Sequence, residues 1–577
     1  MSLAPSTKFN FTSTFTKGGQ VSLHNLRMLR QVLGITLLVT LLAGVIFWGV
    51  KTWFDYTPYQ RYVIRSVYVA HLRTDFSLQK KQVTQLYRYE DGRVYHVRSM
   101  DLVAHPLIQR WIGSLEARMR RNALHALGFM GLVFLSLCFV WLIKGKAKAQ
   151  KQVLRGTALI SPTELRQRIC SDHMDSSLKL ADVPLIKNTE THHMLIIGTT
   201  GTGKTNCFHE LLQQVRAQGQ RAIIVDMTGS FMERYYRPGL DKILNPWDAR
   251  TEAWNLWKEC LHSAHLRLVA ATLISADGRG HESYWVKSSR AVFVATAEKL
   301  RGQDTLTTPN FFKYATHYPI REVQSFYKNT SVAAIMNGEA AETVMGVRSN
   351  LRAYTECLEL FAQREREFSI RQWITQEASG EWLFLSSPPE WREEMAPLMA
   401  LWMTLATHAL MSLEPSYSRR LWIAIDELPA LKKVPSLPTL LAEVRKYGGC
   451  AVLGMQDMSQ LDEIYGPNTV KSIANLCNTK VVFRVEGAEV AERLSKWLGV
   501  QEVSETVENI SYGAHQMRDG VSLNDQRKEK PTVHPDQLMK LPDLEAYLKL
   551  PGNYPITQIR FPLHRLPKVA ERFVQPS

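Results

Sequence analysis

Residues 198 to 205 read Gly198-Thr199-Thr200-Gly201-Thr202-Gly203-Lys204-Thr205, with glycines, one lysine and a hydroxyl at the spacing G-x-x-x-x-G-K-[ST]. Residue types in this order suit a phosphate group. The glycines let backbone N–H groups turn inward onto an anion at a helix N-terminus, where the helix dipole favours negative charge. The Lys204 ammonium would reach the β- and γ-phosphates, and the Thr205 hydroxyl would bind Mg²⁺. ATP with Mg²⁺ is therefore the expected ligand pair.

The elements needed to position such a loop occur in the required order. His192-His193-Met194-Leu195-Ile196-Ile197 reads as a short buried strand, and Cys207 to Ala217 has helical periodicity. The adjacent histidines resemble a metal pair, but neighbours on a strand point to opposite faces, so both are read as structural. A second apolar strand, Ala222-Ile223-Ile224-Val225, ends in Asp226 and completes a βαβ unit. Far downstream, Leu421-Trp422-Ile423-Ala424-Ile425 is a third, closed by Asp426-Glu427. Behind a phosphate loop, Asp426 would hold Mg²⁺ and Glu427 would orient and deprotonate the attacking water. Two further strands follow, Ala451-Val452-Leu453-Gly454-Met455 and Lys480-Val481-Val482-Phe483, each with a polar residue at its C-terminal end, Gln456 and Arg484. Ligands gather at that end of an α/β sheet, so Gln456 is a candidate γ-phosphate sensor.

At 577 residues the chain is too long for one core. Its net charge of +16 suggests a nucleic-acid partner only until the charges are located. Residues 1–50 carry four Lys/Arg and no acid, 51–122 carry 13 against six, and 144–155 carry five with none. Residues 156–577 net to zero, so the excess belongs beside a membrane and says nothing about DNA. Val32 to Val50 and Ala123 to Ile143 lack Asp, Glu, Lys and Arg and are long enough to span a bilayer. Trp48 stands where a signal peptide would be cut, which argues for a retained helix. The intervening loop is itself basic, so orientation follows from the nucleotide site: ATP is cytoplasmic, and both long ends face it. Seven cysteines occur without C-x-x-C or zinc spacing and are read as reduced thiols.

With these runs in view, the sequence resembles the type IV secretion coupling proteins of bacterial conjugation, in their TraD branch. The resemblance extends from the membrane hairpin to about Pro562. It rests on the loop at Lys204, on Tyr235-Tyr236 and the run Asp241 to Arg250, on Trp254 and Leu256 to Cys260, and on Asp426-Glu427-Leu428-Pro429. It continues through Arg445 to Cys450, Gln456 and Ser511-Tyr512-Gly513-Ala514. The resemblance implies an α/β fold: a RecA-like P-loop motor domain related to chromosome-segregating translocases, with an inserted all-α domain and a two-helix transmembrane hairpin in front. It further implies a homo-hexamer around a channel, with ATP between subunits. Arg445 then becomes the candidate for completing a neighbour's nucleotide site, with Arg484 in reserve, and Trp285 and Arg290 match a family patch in the inserted domain. TraD relatives extend into a polar tail that docks the DNA-processing complex, whereas this sequence stops at Ser577, so recruitment through that tail is not carried over.

The expected organisation is a cytoplasmic segment 1–31, spans at 32–50 and 123–143, and a small periplasmic domain at 51–122. The nucleotide-binding domain occupies 144–262 and 369–577, interrupted by the all-α insertion at 263–368. The expected protein is a multi-pass inner-membrane ATPase that pumps DNA bound to a relaxase into a secretion channel. Its partners would be the relaxosome, channel components and membrane lipids. From the residues alone, a receptor for secreted proteins and an assembly ATPase without nucleic acid remain alternatives.

Overall fold

The computed structural model describes residues 11–76, 83–149, 152–274, 283–337, 341–362, 368–376, 380–511 and 520–576. Tyr512, Gly513 and Ala514 of the family motif lie outside them. The chain forms two compact units, one of Met1–Lys151 with Thr506–Asn524, the other of Gln152–Glu505 with Asp525–Ser577.

In the first unit, α1 (Phe11–Asp55), α2 (Pro58–Asp75), the hairpin β1 (Thr84–Arg88) and β2 (Val94–Arg98), α3 (Ser99–Ala104) and α4 (Pro106–Ala149) follow one another. Two segments, Leu26–Asp55 and Pro106–Lys144, are long and apolar enough to cross a membrane. They pack together where Phe47 stacks on Phe129 at 4.5 Å and where Gly44 leaves room for the Met130 side chain, which a Cβ at this position would strike. Leu37, Leu38, Leu41, Leu42 and Ile46 stand exposed, as side chains meant for lipid would. Between the two helices, Val63, Val67 and Ala70 of α2 pack on Tyr87 and Leu102 to form a small separate core.

The second unit is built on a sheet of ten strands. Its first elements are β3 (Gln152–Gly156), β4 (Leu159–Ile160), α5 (Pro162–Ser171), the hairpin β5 (Asp175–Leu180) and β6 (Val183–Ile186), β7 (Met194–Ile197) and α6 (Lys204–Ala217). β8 (Arg221–Asp226), β9 (Lys242–Leu244), β10 (Trp382–Ser386), β11 (Leu421–Ile425), β12 (Gly449–Met455) and β13 (Thr479–Val482) follow, then β14 (Val500–Ser511) and β15 (Gly520–Pro531), of which Thr506–Ser511 and Gly520–Asn524 belong to the first unit, and β16 (Glu545–Lys549) and β17 (Ile556–Arg560). The order across the large sheet is β4-β17-β16-β13-β7-β12-β11-β8-β10-β9. From β13 to β9 all neighbours run parallel, and β16 and β17 add an antiparallel edge. Alternate residues of each central strand enter opposite cores: Leu195, Ile223, Leu383 and Ile423 on one side, Ile196, Ile224, Phe384 and Trp422 on the other. Helices cover both faces, which is why these strands are apolar throughout.

Between β9 and β10 the chain leaves the sheet for an all-α region. Its helices include Ser263–Leu273, Tyr284–Gly302, Ile320–Tyr327 and Ala341–Thr355. Phe293, Phe311, Phe312 and Tyr327 fill its interior, continuous with the core of one sheet face. The segments that enter and leave this region meet at an isolated bridge between Trp254 and Phe368. There the fully buried Glu259 carboxylate accepts from Trp254 Nε1 (3.0 Å), Ser369 Oγ (3.0 Å) and the amides of Ile370 (2.6 Å) and Arg371 (3.0 Å). One acid thus caps the helix Ile370–Thr375 and pins both ends of the insertion.

Candidate nucleotide site

The strand that feeds the loop begins at Met194, two residues later than the apolar pattern suggests. Residues Glu190–His192 form a 3₁₀ turn, and His193 takes φ 58° before β7 starts. The buried His193 ring bonds Leu441 O through Nε2 (2.9 Å) and accepts the Ala451 amide on Nδ1 (3.1 Å), so it joins elements rather than binding metal. Burial lowers its pKa to about 4.

From β7 the chain turns through Gly198–Gly203 into α6, whose first residue is Lys204. Gly203 has φ 117°, and a side chain there would press on Leu544 and Phe483, so only glycine lets the loop close onto the helix. Three strand ends hold the loop from outside: Gly198 N donates to Met455 O (3.3 Å), Thr199 N to Arg484 O (2.9 Å), and Leu544 N to Thr202 O (2.8 Å). The Lys204 ammonium donates to the carbonyls of Gly198 (2.8 Å) and Thr199 (3.0 Å). Burial lowers its pKa, and the nearby Asp426 and Glu427 carboxylates oppose the shift.

Parallel pairing of β7, β12, β11 and β8 brings the ends of these strands to one edge. Thr205 Oγ1 donates to Asp426 Oδ2 (3.2 Å), and Thr200 Oγ1 to Gln456 Oε1 (2.6 Å). Burial raises the Asp426 carboxyl to about 6, opposed by Thr205 and Lys204. Burial also raises Glu427, while Gln456, Lys204 and Arg392 favour its ionised form. Asp426 Oδ1 is buried without a hydrogen-bond partner among the described residues. An orphaned carboxylate oxygen beside a threonine hydroxyl, at the foot of a phosphate loop, is a donor set that fits a hard divalent cation such as Mg²⁺.

Lys204, Thr205, Asp426, Glu427, Thr200 and Gln456 therefore converge, whereas Arg445 does not. It lies in the turn Val444–Tyr447 before β12, while Gln456 follows the other end of that strand. Seven strand residues separate the ends, about 20 Å at the usual rise. The exposed Arg445 sits instead near His192 and His193. Arg484 is engaged within the chain, with Asp543 (2.8 Å) and Leu541 O (3.1 Å).

Two contributors escape sequence reasoning. Arg392, at the head of the helix Arg392–Met411 after β10, lies close enough to bias Glu427. Its only sequence signal is its place just past the C-terminal end of a strand. The segment after β17 is the other. Asn206 donates to Pro562 O and accepts from His564 N (both 2.8 Å), His564 Nε2 meets Glu210 (3.2 Å), and Lys568 and Arg572 pair with Glu233. This strap braces α6 behind Lys204 and Thr205 through Asn206 and Glu210, and the helix Ser230–Tyr235 through Glu233. The long run Asp241 to Arg250 is also structural: buried Asp241 pairs with Arg216 (2.7 Å), and Asp248 with Arg250 (2.7 Å). In the all-α region, Arg290 donates to Ile274 O (2.8 Å), and Gly346 leaves space for the Trp285 ring.

Comparison with known proteins agrees with this architecture. The TraD coupling protein of Escherichia coli K12 is 29% identical over 574 residues, covering 97% of this chain and 79% of that protein. TrwB, a plasmid coupling protein solved with ADP and Mg²⁺, superposes with a TM-score of 0.65 at 27% identity, over 74% of this chain and 98% of that one. TrwB with a non-hydrolysable ATP analogue gives a TM-score of 0.65 at 26% identity over the same shares. The model of the type IV secretion-system coupling protein DNA-binding domain matches residues 177–562, more than half of the sequence. A RecA-like sheet, a helical insertion on its β9-β10 connection and this match agree, and the chain belongs to the type IV secretion-system coupling proteins.

Proposed function

We propose that this chain is an inner-membrane ATPase that uses ATP and Mg²⁺ to move DNA, with its bound relaxase, into a conjugation channel. It acts as a homo-hexamer whose bulk is cytoplasmic, anchored by two membrane spans. The observation that carries the nucleotide reading is the convergence of Lys204, Thr205 and the partnerless Asp426 oxygen below a glycine loop. The nucleotides bound by TrwB, and the coupling role of TraD, support the same ligand and task here.

In this reading the amides of Gly198–Gly203 and the Lys204 ammonium hold the β- and γ-phosphates. Thr205 and Asp426 hold Mg²⁺, which neutralises charge on the phosphate oxygens. Glu427 accepts a proton from water as the water oxygen bonds to the γ-phosphorus, and the bond to the bridging oxygen breaks to leave ADP and phosphate. Burial makes Glu427 a stronger base than a solvated glutamate, and Gln456, Lys204 and Arg392 keep it ionised. Gln456 reports the γ-phosphate to the loop through Thr200. Arg445, remote from its own site, serves the site of the next subunit in the ring.

A DNA motor needs polymer in its channel for productive turnover. ATPase activity of the detergent-solubilised full chain should rise severalfold with DNA, and the rise should weaken with salt as phosphate contacts release counterions. Turnover indifferent to single- and double-stranded DNA at low salt, yet stimulated by a secreted protein, would replace DNA transport with a protein receptor.

A further inference from the structure

The end of the first span and the start of α2 enclose a groove of about 800 Å³, lined by Trp48, Thr52, Trp53, Arg61, Arg65 and Tyr68 among others. Among the described residues, no acidic side chain lines it. Two of its lining residues carry a buried polar atom, Arg61 Nε and Thr52 Oγ1, without a hydrogen-bond partner among the described residues, although buried donors are normally satisfied. The Arg61 guanidinium lies 4.2 Å over the Trp53 ring, which orients it without supplying an anion.

The surroundings specify the ligand. α2 is amphipathic: Val63, Val67 and Ala70 face the small core, while Arg65 and Tyr68, on the opposite side, are exposed together with Leu72. Trp53 and Phe54 at the end of the span are 61% and 80% exposed. Exposed aromatics at the end of a span, followed by a helix with arginines and apolar residues outward, mark a segment lying in the headgroup layer. Trp48 and Met119 offer an apolar wall below, and Arg61 and Arg65, one turn apart on α2, offer two cations above.

We propose that this groove holds an anionic phospholipid of the leaflet on the side of the small domain. Its phosphate lies between Arg61, Arg65 and Thr52, and its acyl chain lies along Trp48 and Met119. The inference rests on the reading of α1 and α4 as membrane spans.

Native mass spectrometry of the full chain in detergent, with phosphatidylglycerol or phosphatidylcholine of identical acyl chains, tests it. Phosphatidylglycerol should be retained roughly 30-fold more strongly, the size expected for two basic side chains near a headgroup. The double variant Arg61→Gln/Arg65→Gln should lose that preference, and Arg65→Gln alone, at an exposed position that folding tolerates, should lose part of it. Millimolar inorganic phosphate should not displace the lipid. Equal retention of both lipids, unchanged preference in the variants, or full displacement by phosphate would each overturn the site. A chain that stays monodisperse without detergent would instead remove the membrane spans themselves.

Discussion

Thr205 Oγ1 lies 3.2 Å from Asp426 Oδ2, although 221 positions separate the two residues. That bond ties the first residue after the phosphate-loop lysine to the acid at the end of β11, and the other Asp426 oxygen has no hydrogen-bond partner among the described residues. The pair therefore defines where a cation would sit, and every role assigned around it can be tested separately.

Lys204→Ala removes the ammonium that reaches the phosphates, so nucleotide binding should fall below detection along with turnover. Glu427→Gln retains those contacts and loses only the proton acceptor. It should bind ATP within a fewfold of wild type while turnover drops by roughly 10²-fold or more. Equal loss of binding in both variants, measured with a fluorescent nucleotide, would strip Glu427 of its assigned role.

Because Arg445 stands about 20 Å from its own loop, Arg445→Ala should bind ATP normally yet turn over slowly. Mixing gives the stronger test: subunits with Glu427→Gln still carry Arg445 and can serve Arg445→Ala partners, whose Glu427 is intact. Partial recovery of activity is expected in mixed rings. Verified mixed rings with no recovery would make Arg445 an ordinary surface residue.

His193 is buried and neutral, with a pKa lowered to about 4 against 6.5 when free. Between those values the unfolded chain binds a proton that the folded chain refuses, so stability falls as pH drops from 6.5 toward 4, by up to about 3 kcal/mol from this group. His193→Asn should unfold with a shallower acid dependence, whatever its stability at neutral pH. Matching slopes for the two proteins across that window, followed by denaturant unfolding, would show that His193 is not the titrating group.

Glu259→Ala would leave four donors unpaired at the neck of the helical insertion. The expected cost is about 3–5 kcal/mol, the range for removing one partner of a buried charged network. A lower thermal midpoint with unchanged ATP affinity is the predicted signature, because the neck lies on the entry side of β10, away from the loop. A midpoint within a degree of wild type would show that the bridge Trp254–Phe368 and the apolar core hold the insertion alone.

Much of this protein is written in short runs whose physics is local. An uncharged stretch of about 20 residues announces a span wherever it lies, and Gly198 to Thr205 requires a strand before it and a helix after it. Apolar strands closed by Asp226 or Asp426-Glu427 imply a sheet buried on both faces. What no local run contains is the order β13-β7-β12-β11-β8. Strand neighbours are chosen by packing across the whole domain, and that packing brings Thr205 to Asp426 and Arg392 close enough to bias Glu427. The same packing decided that Arg445 lies at the far end of the sheet, and that Glu259 closes the neck. The two histidines show the limit most simply: their positions suggested a strand, but a 3₁₀ turn and a positive φ place them before it, where His193 bridges elements distant in sequence.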